Sequence, residues 1–113
     1  MTLREKMHRE QQLKTLFNQA QSHAFEYSDN ALERNVFPSA QALTDLAQFD
    51  EPLPANSADA ESILKQLHRY GSPASVAQTG GRYFGFVNGG ILPVTLATKW
   101  LTDFWDQNTA LHA

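Results

Sequence analysis

With 113 residues, a net charge of −3, 42% hydrophobic and 19% charged residues, the chain has the size and composition of one ordinary soluble domain. A compact fold of that length hides roughly two thirds of the surface that the unfolded chain exposes. The charge and the scattered lysines and arginines exclude a nucleic-acid footprint. No apolar run approaches a membrane span or a secretory leader, and the lack of cysteine excludes disulfides and thiolate metal sites, so the expected setting is cytoplasmic.

Thr2, with Glu5 three residues on, forms a capping-box pattern, and no proline follows until Pro38. One long helix is therefore expected. Its apolar stripe runs through Leu13, Leu16, Phe17, Ala20, Ala24, Tyr27 and Ala31, along about seven turns. Such a helix needs the rest of the domain or another chain to cover it.

Pro38 breaks the helical pattern, and Ser39 caps a short helix expected over Ala40 to Phe49. After the proline-spaced loop "FDEPLPANS", Asn56 or Ser57 offers a cap for a helix through Ala60, Ile63, Leu64 and Leu67. Gly71 is expected to end that helix in the left-handed conformation. Ser72 and Pro73 then read as a fresh cap and first-turn proline for a brief helix through Val76.

Helical periodicity disappears from Thr79 to Gly90. It returns at Pro93 with the broad apolar face of Val94, Ala97, Trp100, Leu101, Phe104 and Trp105, and no glycine or proline marks where that last helix stops. The predicted fold class is mainly α: a long N-terminal helix, two or three short helices, an extended aromatic and glycine-rich segment, and a C-terminal helix.

The segment "GGRYFGFVNGGILP" invites a phosphate-loop reading. Neither a dinucleotide fingerprint nor a P-loop fits, because the glycine spacing differs and no Lys-Ser or Lys-Thr follows. Asn88-Gly89 suits a tight hairpin turn, but Pro93 spoils the second strand. An extended segment turning into a helix is the stronger reading. Phe84 and Phe86 either fill a core while the glycines make the turn, or face a ligand that the glycines let approach.

Candidate reactive groups are sparse. His8, His23, His68 and His112 lie on predicted helices and do not converge in sequence, and no metal site is assigned to them. His23 and Glu26 share a helix face, which supplies only two groups. Asp103 and Asp106, one turn apart, suit helix solvation better than acid and base chemistry. None of Lys6, Lys14, Lys65 and Lys99 is marked as an imine former, which needs a desolvated amine.

Four stretches nevertheless form an ordered set: "RNVFP", "FDEPLP", "GSPASVAQTGGRYFGFVNGGILPVTLATKW" and "FWDQN". From about Phe25 onward the chain resembles the N-terminal part of the pyridoxal-phosphate-dependent group II decarboxylases, the family of aromatic-amino-acid and glutamate decarboxylases. "GGRYFGFVNGG" followed by "WDQN" is the most specific part.

The resemblance implies the α/β fold of aspartate aminotransferase and a lyase of amino-acid metabolism. It also implies a dimer whose N-terminal helices wrap onto the neighbouring subunit. Residues 1–78 would be the helical dimerisation segment, and residues 79–113 the start of the decarboxylase domain. Phe84, Phe86, Val87 and Asn88 would line the substrate side of the pocket, and Gln107 and Asn108 would reach toward the pocket of the other subunit.

In the family, the acid, the stacking histidine and the imine-forming lysine that hold the cofactor lie downstream and match no residue here. The expected assembly is thus a homodimer or a complex with a complementary downstream chain. Pyridoxal phosphate and the amino-acid substrate belong to the complete enzyme, and the segment is not expected to act alone. Where "VNGG" stands, the animal aromatic-acid enzymes have a proline and a threonine, which leaves aromatic, acidic and diamino acids open as substrates. The competing reading is a free-standing helical interaction module, suggested by the amphipathic first and last helices.

Overall fold

A computed structural model describes residues 1–86 and 90–108, and it is mainly helical, with no strand among the described residues. The chain divides into two compact units, Met1–Tyr83 and Phe84–Ala113.

In the first unit, α1 (Leu3–Gln12) starts with the expected capping box. Thr2 Oγ1 accepts from the Glu5 backbone N–H at 3.1 Å, and the Glu5 carboxylate accepts from the Thr2 N–H at 2.8 Å. The single long helix does not form. Leu13 takes an extended conformation (φ −76°, ψ 111°), and α2 (Thr15–Ala31) starts anew. The reason is visible in "LREKMHREQQ", whose few apolar residues do not continue the α2 stripe, so no packing holds the two helices in line.

The packed face of α2 keeps Leu16, Phe17, Ala20, Tyr27 and Ala31 of the expected stripe and widens to take in Gln19 and His23. Leu16, Gln19, Ala20, His23 and Tyr27 are half-buried and Ala31 is buried, while Ala24 is exposed. Two polar side chains therefore sit on the inward stripe.

Ser39 caps α3 (Ala40–Asp45) as expected, its hydroxyl accepting from the Ala42 N–H at 3.1 Å. A 3₁₀ turn over Leu46–Phe49 then completes the predicted span. For α4 (Ala60–Gln66) the cap is Asp59, not Asn56 or Ser57. Its carboxylate accepts from both the N–H and the hydroxyl of Ser62 at 3.0 Å. A full negative charge at the helix N-terminus outcompetes a neutral amide or hydroxyl a turn earlier.

Gly71 does not end this helix. The chain continues through a π turn (Leu67–Gly71) into a 3₁₀ turn (Ser72–Ala74), and Gly71 is right-handed, at φ −81°. A methyl group there would lie 3.3 Å from Leu67 Cδ1, so glycine serves close approach and not reversal. Pro73 occupies the first turn as expected, but Ser72 makes no side-chain cap, and the turn ends at Ala74, short of Val76.

Long-range polar ties hold the first unit together. Arg34 donates to Ser72 O at 2.9 Å and Ser75 O at 2.6 Å, with its guanidinium 4.9 Å from the Tyr27 ring centre. Arg82 donates to Leu32 O at 2.7 Å and Arg34 O at 2.6 Å, and the Ala77 N–H bonds Val36 O at 2.9 Å. Apolar packing is thin by comparison. The buried residues among those described are Ala31, Pro38, Ala42 and Ala77, and Phe25 and Phe37 remain 61% and 67% exposed.

The second unit is built on α5 (Pro93–Trp105), opened by Pro93 in its first turn as predicted. It does have a stop. Asp106 adopts the left-handed conformation (φ 50°, ψ 45°), and its N–H bonds Thr102 O at 3.2 Å. Aspartate tolerates this region better than most side chains, which is how the helix ends without glycine. Lys99 reaches both carboxylate oxygens of Asp103 at 3.2 Å.

Candidate functional site

The residues that sequence reasoning places against a substrate all belong to the second unit. Phe84 and Phe86 precede α5 and are 91% and 92% exposed. Tyr83 and Phe84 carry no regular structure, and the chain bends at Gly85 and turns at Phe86, which sits at φ 55°, a conformation costly for a residue with an aromatic side chain. Neither ring fills a core, so the packing alternative for this pair does not hold. Val87 and Asn88 lie outside the described residues.

Gln107 and Asn108 follow the left-handed stop and are exposed, and the Gln107 amide donates to Trp105 O at 2.8 Å. The 13 residues of α5 set these two amides about 20 Å from Pro93 along the helix. Within α5, Trp100 and Phe104 pack at a ring separation of 6.2 Å, and Val94, Leu101 and Trp105 stay exposed.

The first unit holds a different site. A cleft of about 420 Å³ opens between α2 and the α4–π segment, with Tyr27, Leu64, Leu67 and Gly71 among its walls. His23 and His68 line it side by side, their rings stacked at 4.0 Å with 14° between planes. Glu26 Oε2 is 3.3 Å from His68 Nε2. Gln19 Nε2 is 3.4 Å from His23 Nε2 and donates to Glu61 O at 2.9 Å, which leaves Gln19 Oε1 buried without a partner.

Two histidines that do not converge in sequence therefore converge in the fold. The missed signal was half present. The three-residue step from His23 to Glu26 puts both on α2, and His68 follows Ala60 and Leu64 at four-residue steps on the half-buried face of the α4–π segment. A helical period places each histidine on a face of its own element but carries no hint that the two faces meet. Such a group of imidazoles and carboxylate can hold a cation or relay a proton.

Comparisons with family models, curated proteins and solved structures give no match. No helix among the described residues is long and apolar enough to cross a membrane.

Proposed function

We propose that the chain is the N-terminal segment of a pyridoxal-phosphate-dependent amino-acid decarboxylase, a carboxy-lyase, in which it supplies dimer contacts and one wall of the substrate pocket. The observation that carries this reading is the ordered run from "GSPASVAQTGGRYFGFVNGGILPVTLATKW" to "FWDQN". The apolar surface of both units supports the association role.

In the first unit, Phe25, Leu32, Phe37, Ile63 and Leu67 each expose half or more of their surface. A chain with this much uncovered surface is stabilised by a second polypeptide.

In this role Phe84, Phe86, Val87 and Asn88 pack against the substrate and exclude water, while Gln107 and Asn108 extend polar groups toward the neighbouring subunit's pocket. Pyridoxal phosphate, when bound in the complete enzyme, draws off the electrons released as carbon dioxide departs. The chain supplies no matched lysine for it, so catalysis is assigned to the assembly, in a cytoplasmic setting.

The test is to mix the purified chain with the separately expressed cofactor domain of a group II decarboxylase that lacks its own N-terminal segment. Co-elution and amino-acid decarboxylation, weakened by Phe86→Ala, are expected. No complex at tens of micromolar would overturn the reading. The capped helices and the Arg34 clamp favour a second reading, a free-standing helical oligomerisation module. That module forms a defined oligomer alone and ignores the cofactor domain.

A further inference from the structure

The first unit combines a nearly all-alanine core with a cluster of metal-ligating side chains, and the two facts bear on each other. His23, Glu26 and His68 bring one ligand atom each to within 4.8 Å of one another. We propose that these three residues bind a divalent transition-metal ion of the zinc class, which staples α2 to the π turn.

The donor set is chemically apt. Two imidazoles and one carboxylate are a recognised three-ligand set for Zn²⁺, with a fourth position left to water. The absence of thiolates and of carbonyl-rich loops disfavours Cu⁺ and Ca²⁺ respectively.

Geometry asks for a modest closure. Tetrahedral bonds of about 2.0–2.1 Å place ligand atoms about 3.4 Å apart, so atoms within 4.8 Å of one another need approach by no more than about 1.4 Å. Glu26 has the freedom to move, since its side chain is 62% exposed, and the contact it must exchange is the 3.3 Å approach to His68. The imidazole rings, now nearly parallel, must splay so that their nitrogens aim at one point. The long 3.4 Å approach of Gln19 to His23 offers little resistance to that rotation.

The site also answers an energetic need. Small units that cannot fully bury large side chains are commonly held by disulfides or metals, and this chain has no cysteine. One ion would join ligands from residue 23 to residue 68 and close a long loop of the unfolded chain. It would act independently of the decarboxylase reading, which concerns other residues.

The experiment is a titration of the full chain with ZnCl₂, followed by calorimetry and by the imidazole resonances of its four histidines. Saturable binding of one Zn²⁺ per chain is expected, moving the His23 and His68 signals and leaving those of His8 and His112 in place. His68→Ala should weaken binding about 100-fold and Glu26→Gln about tenfold, with Mg²⁺ failing to compete. Unchanged His23 and His68 signals at millimolar Zn²⁺ in the wild-type chain would overturn the assignment. So would a shift confined to His8 or His112, or binding by a folded His68→Ala chain within threefold of wild type.

Discussion

Replacing Arg34 by alanine should remove the strongest tie in the first unit. The side chain makes two charge-assisted hydrogen bonds, to Ser72 O at 2.9 Å and Ser75 O at 2.6 Å, and lies over the Tyr27 ring at 4.9 Å. Charge-assisted bonds contribute about 1.5 kcal/mol or more each, and a partly exposed cation–π contact about 0.5–1 kcal/mol. Water can reach part of this site and recover some of the loss, leaving a net cost of about 2–3 kcal/mol. A unit of this size has roughly 4 kcal/mol in hand if its core is thin. With a urea slope of about 1 kcal/mol per molar, the midpoint should fall by about 2 M. The assay is far-ultraviolet circular dichroism, which follows the helices of the first unit directly, since Trp100 and Trp105 both belong to the second. Arg34→Lys keeps the charge but not the fork, and should lose about half as much. A midpoint shift below about 0.3 M for Arg34→Ala would refute the clamp and its magnitude.

Asp59→Ala should cost α4 about 1 kcal/mol and speed hydrogen exchange at the Ser62 amide, whereas Asn56→Ala and Ser57→Ala leave it unchanged. Asp106→Gly should stabilise the end of α5 by about 0.5–1 kcal/mol, since glycine adopts the left-handed stop without strain; slower exchange at the Asp106 amide would show it, and faster exchange would count against the cap. Gly71→Val should destabilise the π turn by crowding Leu67, read as a lower thermal midpoint, and an unchanged midpoint would show that close approach is not what glycine provides there.

Much of this architecture is legible locally. Thr2 with Glu5, Ser39 and Pro93 each carry their instruction within a few residues, because a cap or a first-turn proline is satisfied by its immediate neighbours. The errors have longer-range causes. Leu13 breaks the predicted helix because the polar α1 has no stripe to bury, and at Gly71 the chain runs on right-handed into the 3₁₀ turn, the glycine giving Leu67 room and not reversing the chain. Sequence patterning picks out most of the inward face of α2, but not His23, which packing against the α4–π segment adds to it. The His23–Glu26–His68 group is therefore only half legible, because nothing local pairs α2 with the α4–π segment. Of the residues expected at the substrate, Phe84 and Phe86 are exposed, and Val87 and Asn88 lie outside the described residues.

The claim that this chain works by associating with a second polypeptide is tested most directly by sedimentation equilibrium, from low micromolar to a few hundred micromolar. The account predicts the mass of a dimer, with the tryptophan residues of α5 shielded when the cofactor domain of a group II decarboxylase is added. A chain that stays monomeric across that range, unfolds cooperatively and leaves its tryptophans equally exposed with the cofactor domain present would contradict it.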